Sequence, residues 1–219
     1  EFRRVLFRST VIYEGVNSQF HPIKDQKILK ATQNKYNITT PYLLYTGVWR
    51  SHKNLINLIK AFKYLKNQYT LPLALVLTGR RDPIYAPELE AKIRELSLEN
   101  NVIFTGLVDD HDLVSLYNGA SAYVFPSLYE GFGLPPLESM QCGVPVVASR
   151  TSSIPEICGE NNALFFDPNA PQNMAEQIFQ VLAKPALRQQ LIENGLKRCQ
   201  EFSWQKMAEQ TLAIYESNQ

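Results

Sequence analysis

The sequence lacks most of the features that mark membrane, secreted and metal-built proteins. No apolar run approaches the roughly 18 residues of a membrane span. There are only 3 cysteines. Cys142, Cys158 and Cys199 are odd in number and widely spaced, which fits neither a disulfide framework nor a zinc pattern. The 3 histidines are dispersed, and no Asp-x-Asp is read in a loop at a strand end, so no metal ligands are expected. Charge of one sign is missing too: 22 Lys and Arg face 21 Asp and Glu, a net charge of +1. With the basic residues scattered, no nucleic-acid partner is expected. No internal repeat or low-complexity segment occurs. Residues 1–9 lack the apolar centre of a signal peptide and do not begin with Met, so they read as a non-native scar. Asn37-Ile38-Thr39 matches a glycosylation acceptor, a pattern common by chance. A reducing, cytoplasmic setting is the expectation.

What is present is a regular alternation. Short apolar runs at 42–45, 73–77, 102–104, 122–125, 145–148 and 164–166 read as strands. Between most of them lie helical patterns, at 54–66, 87–98, 110–118 and 137–142. The 54–66 pattern puts Leu55, Leu58, Ile59, Phe62 and Leu65 on one stripe. The runs are apolar at nearly every position, as in a parallel sheet covered on both faces. The fold class is therefore α/β: a doubly wound, six-stranded, Rossmann-like parallel sheet. Three further helices are expected at 171–182, 185–199 and 204–215, the last capped by Ser203. Residues 10–13 read as one more short strand before a loop at 17–22, and 23–36 as a weak helix.

Topology then points to a site. In a sheet of this kind the usual strand order is 3-2-1-4-5-6, and ligands bind where the order reverses. The first strand leads into Gly47-Val48-Trp49-Arg50-Ser51-His52-Lys53. The fourth leads into Pro126-Ser127-Leu128-Tyr129-Glu130-Gly131-Phe132-Gly133-Leu134, then Pro135-Pro136 and a helix bearing Glu138. The two chemically richest loops thus flank one switch point. A glycine-bearing loop before a helix suits a phosphate, because N–H groups at a helix start are unpaired and carry partial positive charge. Two carboxylates beside it suggest sugar and ribose hydroxyls as hydrogen-bond donors. Lys53 is a cation at the facing loop.

The run from Glu130 to Leu134 with Pro135 and Glu138, followed by Met140-Gln141-Cys142-Gly143-Val144-Pro145-Val146-Val147, resembles the donor site of retaining glycosyltransferases of family 4, which have the GT-B fold. The resemblance covers about 10–215. It implies the nucleotide-sugar-binding C-terminal half of such an enzyme, with Glu138 on the ribose hydroxyls and Glu130 as the catalytic residue, holding a hydroxyl of the transferred sugar. It implies that the backbone of Gly131, Phe132, Gly133 and Leu134 meets the sugar and diphosphate. Gly47 and Lys53 match the family's diphosphate loop. The arginine common after that glycine is replaced by Val48, which leaves Arg50 as a second cation. Val108 stands where backbone groups read the base. His52, Arg80, Arg81, His21 and His111 are read as surface residues, and Ser149, Pro155 and Glu156 receive no role.

On this reading, 10–22 ends a missing N-terminal acceptor domain and its linker, and 23–219 is the donor domain. The missing domain, in the same chain or as a separate subunit, is the expected partner, and any peripheral membrane contact belongs to it. No cofactor is implied, since the substrate is a nucleoside diphosphate sugar such as GDP-mannose or a UDP-hexose. The rival reading is a stand-alone nucleotide-sugar binding module without turnover, and retention of Glu130 favours the enzyme.

Overall fold

A computed structural model describes residues 9–217. The expected scar falls outside the described residues except for Ser9. The chain enters through an irregular segment and forms α1 (Gln26–Lys35), β1 (Tyr42–Thr46), a short 3-10 turn (Ser51–Lys53) and α2 (Leu55–Gln68). There follow β2 (Ala74–Thr78), α3 (Ala86–Glu95), β3 (Val102–Gly106), α4 (Asp110–Gly119) and β4 (Ala122–Phe125). The second half holds α5 (Leu134–Gln141), β5 (Val146–Ser149), α6 (Ile154–Cys158) and β6 (Ala163–Phe166). It closes with α7 (Pro171–Ala183), α8 (Pro185–Cys199) and α9 (Trp204–Ser217).

The sheet order is β3-β2-β1-β4-β5-β6, with every pairing parallel. This is the expected doubly wound order. Leu43 pairs with Ala122, which makes β1 and β4 neighbours. Strands β1, β2, β4 and β5 are buried at every residue, and only the edge strands β3 and β6 show partial exposure. That is why their sequences are apolar throughout rather than alternating.

Successive side chains along a strand point to opposite faces, and each face has its own core. Leu43, Tyr45, Leu75, Leu77, Val124 and Val147 pack with residues of α2, α3 and α7. Tyr42, Leu44, Val76, Tyr123, Phe125, Val146 and Ala148 pack with residues of α4, α5 and α6. Each fully buried Leu or Val is worth about 1.5–3 kcal/mol relative to exposure.

The helix starts carry recognisable caps. Asp25 accepts from Lys27 N at 2.8 Å and Asp109 from Asp112 N at 2.8 Å. Ser203 accepts from Lys206 N at 3.1 Å, the expected cap of α9.

Two expectations are corrected. Residues 10–13 form no strand: they carry no regular secondary structure and pair with none of the six strands of the sheet. An apolar tetrapeptide cannot be a strand without a neighbour to bond. Tyr13 instead packs between Phe132 and Phe202 and donates to Glu156 Oε1 at 2.5 Å. Second, α5 begins at Leu134 rather than 137. Pro135 and Pro136 sit inside its first turn, where a missing N–H costs nothing.

Helix α9 buries no residue against the rest of the chain. Its stripe of Trp204, Leu212 and Tyr215 is 49%, 56% and 68% exposed.

Candidate functional site

The loops after β1 and β4 meet, as the strand order requires. Leu128 N donates to His52 O at 2.8 Å, and the Asn54 side chain donates to Pro126 O at 3.0 Å and Pro168 O at 2.8 Å. Asn54 is buried and left-handed, with φ of 60°. Asparagine tolerates that conformation better than most residues, and its amide spans three loops at once.

This scaffold aims Lys53 at Glu130. Their Nζ and Oε1 lie 2.6 Å apart, with the side chains 19% and 13% exposed. Lys53 also lies 5.9 Å from the centroid of the Phe125 ring. The two residues expected to serve diphosphate and sugar therefore satisfy each other. A partly buried pair of this kind is a charge-assisted hydrogen bond that an incoming anion and hydroxyl can exchange.

The Glu130 loop is held from the next strand. Ser149 Oγ donates to Ser127 O at 2.5 Å, and Thr151 Oγ1 donates to Leu128 O at 3.1 Å. Glu130 N donates to Ser152 Oγ at 3.0 Å, and Ser153 Oγ donates to both Glu130 O (3.1 Å) and Phe132 O (2.9 Å). The run Thr151-Ser152-Ser153 is thus a cradle of hydroxyls that the sequence reading passed over. The signal was there: small hydroxyl residues directly after β5, beside the strand that carries the loop.

Gly133 has φ of 110°, a conformation that glycine adopts readily, and it caps α5. Pro135 and Pro136 have no N–H, so two of the donors expected at this helix start are missing. Leu134 keeps its own, and Leu137 is the first residue of α5 whose N–H bonds within the helix. Behind Gly47, a Cβ on Gly79 would meet Gly47 O at 2.1 Å. That close approach explains a second glycine at the floor of the site.

Glu138 is half-buried on α5, and Tyr117 of α4 donates to its Oε2 at 2.8 Å. Burial pushes the Glu138 carboxyl above its ordinary range. The Tyr117 hydrogen bond opposes this, and the charge of Asp110 adds to it. Of the remaining expected residues, Val108 is partly buried at the end of the β3 loop. Arg50 is exposed at the head of the 3-10 turn, and no hydrogen bond or ion pair joins it to Glu130.

Asp109, His111 and Asp112 bring ligand-type atoms within 4.8 Å of one another. Asp110-His111-Asp112 is in fact an Asp-x-Asp triplet, placed in the first turn of α4 rather than in a loop. Asp112 is already committed to Lys35 and Tyr36, and Asp109 caps the helix. The three cysteines are buried and free, and burial pushes each thiol up to about 12. Neutral thiols of that kind are poor nucleophiles.

Comparison with known proteins shows the family of the chain. The family model described as Glycosyl transferases group 1 matches residues 27–198. O-antigen chain mannosyltransferase B of Escherichia coli is 34% identical over 202 residues, which cover 91% of this chain and 52% of that protein. Sucrose-phosphate synthase from Thermosynechococcus elongatus superposes with a TM-score of 0.82 at 29% identity, over 95% of this chain and 52% of that one. A C-terminal domain of a glycosyl transferase group 1 family protein from Francisella tularensis superposes with a TM-score of 0.72 at 26% identity, over 85% of this chain and 97% of that domain. The chain thus spans about half the length of the first two. Its fold is that of the domain studied alone in the third. With the family model covering most of its length, the chain belongs to the group 1 glycosyltransferases.

Proposed function

We propose that the chain is the donor-binding half of a retaining glycosyltransferase of the GT-B type. It moves a hexose from a nucleoside diphosphate sugar to an acceptor held by a facing domain. The observation that carries this is the Lys53–Glu130 pair at the β1/β4 switch point, with Glu138 tied to the end of β1 through Tyr117 and Thr46. One cation and two carboxylates beside a glycine loop match the three parts of such a donor.

In this reading Glu138 accepts from the ribose hydroxyls and the groups around Val108 read the base. Lys53, with Arg50 and the backbone of Gly47, meets the diphosphate. Glu130 accepts from a hydroxyl of the transferred sugar, whose ring lies against the backbone from Gly131 to Leu134. Donor binding then splits the Lys53–Glu130 pair, and each partner gains a ligand group in exchange. As the bond from the sugar's anomeric carbon to the diphosphate breaks, its electron pair moves onto a phosphate oxygen facing Lys53. Positive charge fixed in advance at that oxygen lowers the barrier. The acceptor oxygen bonds to the same face of the carbon and passes its proton to the departing phosphate oxygen. No metal is required by these groups. The mannosyltransferase name of the Escherichia coli relative favours mannose as the sugar, with GDP-mannose ahead of UDP-hexoses as donor. The described residues include no helix long and apolar enough to cross a membrane. Any contact with a membrane surface is assigned to the facing domain, and the site of action to the cytoplasm.

Calorimetric titration with GDP, UDP, GDP-mannose and UDP-glucose tests the reading, together with sugar release on the same preparation. The 219-residue chain should bind one base family and release no transferred sugar until the facing domain is restored. Positioning an acceptor in line contributes about 7–11 kcal/mol to such a reaction. Full turnover by this chain alone would refute the two-domain reading. Failure of a folded sample to bind any of the four would refute the donor site.

A further inference from the structure

Behind Glu138 runs a line of buried hydroxyls. The Tyr117 hydroxyl lies 2.8 Å from Glu138 Oε2 and 2.8 Å from Thr46 Oγ1. Thr46 Oγ1 lies 3.1 Å from the Tyr123 hydroxyl. Tyr117 and Tyr123 are wholly buried, and Thr46 is 7% exposed. The four residues come from four elements: α5, α4, β1 and β4.

The direction of the line follows from proton count. An ionised carboxylate only accepts, so the single Tyr117 proton goes to Glu138. Tyr117 oxygen then accepts from Thr46, and Thr46 oxygen accepts from Tyr123. Three O–H dipoles point the same way and end on one carboxylate oxygen, and such chains strengthen one another. The other oxygen, Oε1, has no hydrogen bond within the described residues.

We propose that Tyr117, backed by Thr46 and Tyr123, is a positioning residue. It fixes Oε2 of Glu138 and presents Oε1 to the vicinal hydroxyls of a ribonucleotide. The inference rests on the reading of Glu138 as the ribose ligand.

A tyrosine in this core needs some hydrogen-bond partner in any case, so a purely structural role must be separated. The titratable groups around Glu138 are Tyr117 and Asp110 on α4, Tyr123 on β4 and Cys142 just past the end of α5. Both tyrosines and the cysteine stay neutral near pH 7, because burial raises them. Burial and Asp110 push the Glu138 carboxyl up, while the Tyr117 hydrogen bond pulls it down. Removing that bond lets the carboxyl take up a proton at a higher pH.

The experiment is calorimetric titration of the 219-residue chain with GDP, UDP and their 2′-deoxy counterparts between pH 5 and 8. Wild type, Tyr117→Phe, Glu138→Gln and the double variant are compared. Tyr117→Phe should weaken ribonucleotide binding about 10-fold at pH 7, the scale of one hydrogen bond to a charged group, with the deoxy ligands nearly unaffected. The acid-side loss of ribonucleotide affinity should move to higher pH. In the Glu138→Gln background Tyr117→Phe should cause no further loss, which a general packing defect would not reproduce. If Tyr117→Phe does not fold, Thr46→Val breaks the chain one step earlier and should give a smaller loss of the same kind. Unchanged ribonucleotide affinity and pH profile in these variants, with wild type still preferring ribonucleotides, overturn the positioning role alone. Absence of that preference in wild type overturns the Glu138 assignment and the inference with it.

Discussion

Glu130 and Glu138 stand on the same stretch of chain, yet they are held in opposite ways. Glu130 is on a loop and meets a charge, Lys53, brought in from the neighbouring loop. Glu138 is on a helix and meets a neutral hydroxyl backed by two more inside the core. A partner that is itself a charged side chain on a loop can be exchanged for ligand groups. A hydroxyl on a wholly buried ring cannot leave without breaking the packing of two helices against the sheet. The first arrangement suits a group that must change partners during a reaction. The second suits a group that recognises the same hydroxyls in every cycle.

This contrast can be broken at the Glu130 end first. Asn54→Ala removes two buried hydrogen bonds and places a residue with a β-carbon, and without Asn's local bonding, at φ of 60°. It should cost about 2–4 kcal/mol in chemical denaturation. Because Asn54 sets the position of Lys53, diphosphate affinity should fall as well, while the preference for ribose over deoxyribose should remain. Loss of both together would show that the two regions are not independent.

Lys53→Ala should weaken nucleoside diphosphate binding by about 1.5–3 kcal/mol, with nucleoside binding little changed. Calorimetry of both ligands checks this, and equal losses would remove Lys53 from the diphosphate. At the other end, Glu138→Gln should cost about 1.5 kcal/mol for a ribonucleotide and far less for its 2′-deoxy analogue. An equal loss for both would mean that the carboxylate serves the helix start and not the ribose.

Asp112 provides a comparison outside both loops. It is buried and accepts from Lys35 and from Tyr36 at 2.6 Å. Burial alone would raise its carboxyl, but the hydrogen bonds from Lys35 and Tyr36 together hold it below its ordinary range. A carboxyl depressed by folding stabilises the fold above its unfolded pKa, and that contribution is lost as pH falls through the folded value. Asp112→Asn should therefore lower stability by about 1 kcal/mol at pH 7 and by less as the medium is acidified through that window. Nucleotide affinity should not change. A stability loss independent of pH would point to packing instead of charge.

Much of the fold was legible because its signals are local. Apolar runs three to five residues long, stripes at helical spacing and prolines at helix starts are written in nearby residues. The exceptions have a common cause. Val11 and Ile12 look like a strand, but strandedness depends on a neighbour, and this segment packs elsewhere and pairs with none of the six strands. The start of α5 was misplaced because Pro135-Pro136 is compatible with either side of a helix boundary. At the site, Lys53, Glu130 and Glu138 were visible as chemistry. Asn54, Thr151, Ser152, Ser153 and Tyr117 were not, because an amide or a hydroxyl shows its role only through the partner that it finds.

The sequence by itself determined the class of fold, the order of its strands and the two loops that face each other. The class follows from hydrophobic period, and the order and the facing loops from the arrangement that doubly wound parallel sheets usually adopt. Only the tertiary structure decided who pairs with whom. Lys53 and Glu130 are 77 positions apart, and Thr46 and Tyr117 are 71 apart. Nothing in either neighbourhood specifies such partners. They are selected when β1 and β4 become adjacent and most buried polar atoms between them take a donor or an acceptor, Trp49 Nε1 and Ser127 Oγ being exceptions.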